Sequence, residues 1–308
     1  MLTMRQHAIS LIAVFLALAL GLFLGSGYLG DRVNALTGTE RDRLGQTQAE
    51  RDGLARQVNV DRGFLEGVTP RLVGGILKDQ PVLVVTTPNA AESDVEALKG
   101  LLNDAGAVFA GQLGLTAKLV RDQNAATVTS IVDQAVPRGQ RLRGDFTDSG
   151  SRVGDLLGMA VMFREGARPA AEADREIALS ALREGGFLEY ADGTVTSARL
   201  AMVVTGGELS ADSGTQGQLV ARLTSSLVTR GQGGILAGRT GSAAGGSPVA
   251  VVRADPTLGN ALSTVDDVET STGRVTVMLA LDSERHGRSG AYGTGPGASS
   301  ITVEPPNP

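Results

Sequence analysis

The chain has no cysteine and no tryptophan among its 308 residues, only two histidines, and 3% aromatic content. Missing thiols exclude disulfides, thiolate metal sites and thiol nucleophiles together, while leaving the redox compartment open. Scarce aromatics mean that alanine and valine must fill the core, and 42 glycines imply many tight turns and close backbone approaches. The 28 Lys and Arg against 33 Asp and Glu give a net charge of -5 and no broad basic footprint. Nucleic acid, whose phosphates demand clustered cations, is therefore not an expected partner.

What is present begins with one long apolar run. Ala8 to Leu24 carries no charge and a single polar residue, Ser10. Continued to Tyr28, it reaches about the 20 residues a helix needs to cross hydrocarbon, so contact with membrane lipid is expected through residues 8–28. Arg5 precedes the run while Asp31 and Arg32 cancel after it, which predicts a cytoplasmic N-terminus and an exported C-terminal body. Gly25-Ser26-Gly27 is a poor cleavage site and the run is long for a signal peptide, favouring an uncleaved, single-pass anchor. Gly21 and Gly25 are spaced for close approach of two such helices, although glycine is common in membrane helices generally.

Residues 1–30 are thus expected to form a cytoplasmic stub and anchor, and residues 31–76 a juxtamembrane helix or coiled coil. A weak heptad runs through Val33, Leu44, Leu54, Val58, Leu65, Val68 and Leu72, with Thr37, Glu40, Thr47, Arg51 and Asp61 interrupting it. Nearly balanced charge from Asp31 to Glu66 suits a solvated helix with salt-bridge pairs. A parallel homodimer and a lone amphipathic helix both fit. Gly45, Gly53 and Gly63 each weaken a helix by about 1 kcal/mol relative to Ala.

Residues 77–286 read as an exported α/β domain with helices on the faces of a sheet. Pro81 to Thr87 is a continuous apolar run suited to a strand buried on both faces. Ser93-Asp-Val-Glu96 has the capping-box pattern, Gly106 ends the helix it would open, and Ala107-Val108-Phe109 follows as a strand. Helices are expected near Asp155 to Phe163, Glu172 to Arg183 and Gln216 to Val228. Strands are expected at Leu200 to Thr205, Gly234 to Ala237, Pro248 to Arg253 and Val275 to Leu281. Residues 287–308 form a Gly- and Pro-rich tail, read as irregular apart from a short extended stretch at Ile301-Thr-Val303.

Reaction chemistry is sparse. Neither G-x-x-x-x-G-K-S/T nor G-x-G-x-x-G after a strand occurs, and no G-x-S-x-G elbow, so a hydrolytic triad would have to use His286. Asp266-Asp267 could meet a hard cation, but adjacent strand residues point to opposite faces and such acids more often cap or turn the chain. For soft copper the exported ligands are Met159, Met162, Met202, Met278 and His286. Met159 and Met162 share a helix face by spacing and read as core. No catalytic, cofactor or metal residue is assigned, and the chain is not expected to be an enzyme.

The N-terminal stretch from Met4-Arg-Gln-His7 through Gly21-Leu-Phe-Leu-Gly-Ser-Gly27 resembles the actinobacterial copper transporter family typified by mycobacterial copper transport protein B. Gly154-Asp-Leu-Leu-Gly158, Ala181-Leu-Arg-Glu184, Val203-Val-Thr-Gly-Gly207, Leu236-Ala-Gly-Arg239, Ser263-Thr-Val-Asp-Asp267 and Tyr292-Gly-Thr-Gly295 extend the likeness, in order, along nearly the whole chain. The resemblance implies copper as a substrate, copper efflux or resistance, and a channel of the outer, mycolate membrane. It also points to relatives that act in cell separation through coiled-coil partners controlling peptidoglycan hydrolases. A lipid-facing barrel needs strands of about 10 residues alternating apolar and polar, whereas the strands here are short and continuously apolar. The expected role is a membrane-anchored, homo-oligomeric envelope protein that binds protein partners. The alternatives are the cell-separation regulator and the copper channel itself, in either the inner or the mycolate membrane.

Overall fold

The computed structural model describes residues 4–25 and 28–304, and divides the chain into Met1–Phe64 and Leu65–Pro308. The first unit holds α1 (Met4–Gly25) and most of α2 (Tyr28–Val73), whose last turns belong to the second unit. Side chains at 1–6, 8 and 23–44 lie outside the described residues. With them go the charges Arg5, Asp31 and Arg32 and the first heptad positions Val33 and Leu44. Ser26 and Gly27 of the weak cleavage site lie outside as well.

Along α1 every described apolar side chain is exposed, Ile9 at 66% and Phe15 at 67% among them, so no protein core claims this helix. Among the described residues no helix is long and apolar enough to cross a membrane, and the expected spanning segment is not met in that form. In α2 the chain stays helical through Gly45, Gly53 and Gly63, and an added Cβ would meet nothing at the first and last of these. Its apolar positions Leu54, Val58, Phe64 and Leu72 are all exposed.

The second unit is built on a seven-stranded sheet. Its strands are β1 (Pro81–Thr86), β2 (Val108–Leu115), β3 (Leu188–Glu189), β4 (Leu200–Val204), β5 (Gly233–Ala237), β6 (Ser263–Val265) and β7 (Ala291–Tyr292). They lie in the order β3-β2-β1-β4-β5-β6-β7, all neighbours parallel except β2 with β3. Side chains alternate between two cores. Leu83, Val85, Ala201, Val203 and Leu236 enter one, while Val82, Val84, Leu200, Met202, Val204 and Ile235 enter the other. This period of two, with both faces buried, explains the unbroken apolar runs that marked β1 and β4.

On the first face lie α4 (Ala125–Ala135), α5 (Ser149–Val161), α6 (Glu172–Glu184), α7 (Gln216–Val228), α8 (Pro248–Ala254) and the short α9 (Pro256–Gly259). On the second lie α3 (Glu92–Asp104) and α10 (Ser271–Arg285), with Val73 at the end of α2 and Leu77 just after it. The closest pairing is α5 with α7. Gly150, Gly154 and Gly158 repeat every fourth residue on α5, and a Cβ at each would strike α7 or the residues that end it: Leu219 O at 2.6 Å, Leu223 O, and the Arg230 side chain at 2.6 Å. Two helix backbones therefore meet where ordinary side chains would hold them apart.

Four expectations are corrected. Pro248 to Arg253 is α8 rather than extended, because Pro248 sits at the first helical position, where its missing N–H costs nothing. Val275 to Leu281 is the middle of α10, which Thr270 caps by accepting a hydrogen bond from the Gly273 N–H at 2.9 Å. The β-branched Val275-Thr-Val277 run resembles a strand, but this helix is buried nearly all round and shows no polar stripe. The Ser93-to-Glu96 capping box does not form, since α3 starts at Glu92 after Ala91 with no side-chain cap. The tail is not simply irregular: Ala291–Tyr292 joins the sheet beside β6, whereas Ile301 is exposed and outside any strand. Residues 305–308 lie outside the described residues.

Candidate functional site

The thioether and imidazole groups weighed for copper do not converge. Met202 and Met278 are fully buried within the apolar core of the α3/α10 face. His286 follows α10, is exposed, and holds its Nδ1 2.7 Å from the Asp282 carbonyl, so it sits as a helix-end residue with no nucleophile beside it among its hydrogen bonds. Among the described residues no three His, Cys, Asp or Glu side chains group to hold a metal ion. Met159 and Met162 do come together, though not on one helix face. α5 ends at Val161, and Met162 is already extended, bridging to Ala198. Both sulfur-bearing side chains line an open cavity of about 540 Å³.

That cavity is cationic. Arg143, Arg164, Arg168 and Arg230 line it together with Thr229 and Asp174. The buried Asp155, in the middle of α5, accepts from Arg230 Nε at 2.6 Å and Nη2 at 2.9 Å, and from the Arg143 backbone N–H at 2.8 Å. Arg143 donates from Nη1 to the Thr229 hydroxyl at 3.0 Å, and Arg164 from Nη2 to the Thr229 carbonyl at 2.7 Å. A soft monovalent cation entering between the two thioethers would meet more positive than negative charge. Replacing Met159 and Met162 together with Leu is accordingly expected to leave Cu(I) affinity of the purified protein within about twofold of the parent, since Leu conserves the packing volume. A competition titration with a chromogenic Cu(I) chelator checks this, and a large loss would make the pair a ligand site.

Asp266 and Asp267, the other candidate, are divided between two jobs. Asp266, buried at the end of β6, pairs with the equally buried Arg253 at 2.5 Å and accepts from the backbone N–H groups of Thr294 and Gly295. Arg253 also donates to Thr264 Oγ1, the Tyr292 carbonyl and the Pro296 carbonyl. Asp267 has its Oδ1 buried without a hydrogen-bond partner, and burial, then the neighbouring Asp266 and Glu269, push its carboxyl above the ordinary range. The two acids do not act as one cation site, because the first is already neutralised by a guanidinium.

In sheets of this order, ligands usually bind beyond the carboxyl ends of the strands where the order reverses, here between β1 and β4. The chain's own loops occupy that crevice. The Thr87 hydroxyl donates to Asn89 Oδ1 at 2.6 Å and lies 3.2 Å from the Thr205 hydroxyl, and a Cβ on Gly206 would come within 2.5 Å of the Asn89 carbonyl. The arginine cavity lies at the opposite, amino edge, beyond the carboxyl ends of α5 and α7. Sequence reading missed it because its arginines come from three separate segments, before α5, between α5 and α6, and after α7, with no motif spacing. Of its parts, Gly154-Asp-Leu-Leu-Gly158 and the pair Met159 and Met162 stood out beforehand.

Over residues 1–303 the chain matches the family described as copper transport outer membrane protein, MctB. The copper transporter MctB of Mycobacterium tuberculosis (strain ATCC 25618 / H37Rv) is 40% identical over 314 residues, covering 98% of this chain and 99% of the relative. The protein of the same name from Mycobacterium leprae (strain TN) is 39% identical over 317 residues, with the same two coverages. Agreement of that depth covers the two N-terminal helices and the sheet unit alike, and the chain belongs to the MctB copper transport outer membrane protein family.

Proposed function

We infer that this chain is a copper-handling protein of the cell envelope whose body works by binding protein partners. The observation that carries the reading is the sheet itself, open, mostly parallel and covered on both faces by helices. Such a sheet buries its apolar side chains against protein and leaves no strand face for lipid. The names of the relatives, copper transporters, supply copper as the substrate handled. α1, with its outward apolar side chains, serves as a single-pass anchor when its run is continued to Tyr28, and the body lies on the exported side. The exposed Leu54, Val58 and Leu72 of α2, with the half-buried heptad positions Leu65 and Val68, provide the seam for a second copy or for a partner helix.

Removing residues 31–64 tests this while sparing the unit that begins at Leu65. Self-association in membranes, read by in-cell crosslinking, is expected to be lost, together with the copper tolerance that the full chain confers on a deletion strain. Retained crosslinking and tolerance would end the partner-binding reading. Unchanged copper tolerance combined with failure of daughter cells to part would instead support a role in cell separation, which the same exposed helical seam would serve.

A further inference from the structure

We propose that the arginine cavity at the amino edge of the sheet is a binding site for an oxyanion, a phosphate or carboxylate group carried on a ligand of about sugar size. The protein as a whole is acidic, with net charge -5, yet four guanidiniums line this one cavity against the carboxylates of Asp155 and Asp174. Asp155 is consumed by Arg230 and by the Arg143 backbone. Capping of α7 accounts for part of the cluster, since Arg143 and Arg164 both donate to Thr229. It does not account for Arg168, which is exposed and takes part in none of the hydrogen bonds or ion pairs among the described residues. Each guanidinium carries five donors: Arg143 turns Nη1 and Nη2 to Thr229 and holds Nε 4.0 Å from Asp155, whereas the one contact of Arg164 to Thr229 leaves most of its donors free.

The carboxyl ends of α5 and α7 oppose an anion here by about half an elementary charge each, while the amino end of α6, whose N-cap Ala171 lines the cavity, favours one. The excess of two guanidiniums over carboxylates is larger, so the cavity remains attractive to negative charge. Planar guanidinium forks match carboxylate and phosphate oxygens in pairs, which a single ammonium cannot do. Phe163 and the two methionines add an apolar wall for the uncharged part of the ligand. This inference is independent of the copper and partner-binding reading.

Isothermal titration of the full-length chain in detergent micelles tests it, with glucose 1-phosphate, glucuronate and glucose as probes at low salt. At least one anion is expected to saturate and the neutral sugar not. Arg168→Gln, which removes no hydrogen bond or ion pair among the described residues, should weaken that binding about tenfold and leave the unfolding temperature unchanged. Arg164→Gln should weaken it by a similar factor. Saturation by glucose 1-phosphate alone assigns a phosphate ester, saturation by glucuronate alone a carboxylate, and saturation by both the oxyanion in general. No saturation by either anion, equal binding of glucose, or binding that Arg168→Gln leaves unchanged would overturn the proposal.

Discussion

Replacing Asp266 with Ala is expected to destabilise the second unit by about 3–5 kcal/mol, because it strands a buried guanidinium without its counter-charge. Arg253 and Asp266 are 4% and 2% exposed, so water cannot take over the lost partner. The same carboxylate accepts from the N–H groups of Thr294 and Gly295, and Arg253 holds the carbonyls of Tyr292 and Pro296. This one pair therefore stitches the return of the chain after α10 onto the edge of the sheet. Denaturant unfolding measures the loss, and amide exchange should show residues 291–300 opening first. A double variant, Asp266→Leu with Arg253→Met, should recover much of the loss, since replacing a buried ion pair with apolar groups removes the unpaired charge. Equal instability of the single and double variants would mean that packing of the tail, not charge pairing, dominates.

The second large effect is a dependence on pH. Glu284, in the last turn of α10, is 3% exposed, and burial pushes its carboxyl up to about 7 against hydrogen bonds that favour the charged form. The Ser263 hydroxyl donates to its Oε1 at 2.6 Å and in turn accepts from the Gly290 N–H at 3.1 Å, which ties α10 to β6 and to the turn before β7. In the unfolded chain the same group titrates near its ordinary value of 4.5. Between these values the folded protein binds the proton that the unfolded chain has released, so stability falls as pH rises. The contribution is complete below about pH 4.5 and lost by about pH 7. A shift of that size corresponds to about 3 kcal/mol.

Glu284→Gln should abolish this slope whatever its effect on absolute stability. The test is the difference in unfolding free energy between pH 5 and pH 8, which should shrink by about 3 kcal/mol in the variant. Parallel pH profiles for parent and variant would assign the slope elsewhere, Asp267 being the next group whose carboxyl is raised by burial.

Much of the architecture was legible in the residues because burial on both faces writes an unbroken apolar run. β1, β4 and β5 were found this way, and Gln216 to Val228 coincides with α7. The same rule misled at Val275 to Leu281, where a helix buried all round presents an apolar run with no period to distinguish it from a strand. β6 escaped notice because Ser263 and Thr264 make it polar by composition although all three of its residues are buried. The acidic pair after it was noticed, but its partner Arg253 lies on a helix that had been read as extended. The arginine cavity was illegible for a topological reason: Asp155 and Arg230 are 75 residues apart, and only the packing of α5 on α7 through three glycines brings them together.

The two N-terminal helices pose the opposite case. The apolar run of α1 was plain in sequence and the heptad of α2 weak; among the described side chains the apolar ones of α1 are exposed, as are Leu54, Val58, Phe64 and Leu72 of α2, while Leu65 and Val68 are half-buried and Val73 is buried. Exposed apolar surface of this extent is stable in water only when something covers it. Lipid for α1 and a helix for α2 are the coverings proposed above. The body needs neither, since its two cores are complete within Leu65–Pro308.

The most direct test is electrical. Purified full-length protein reconstituted in a planar lipid bilayer, with copper on one side, should pass no copper-dependent current, because a helix-covered open sheet encloses no lumen. Reproducible single-channel steps that carry copper, and that vanish when the body from residue 65 onward is removed, would contradict the account.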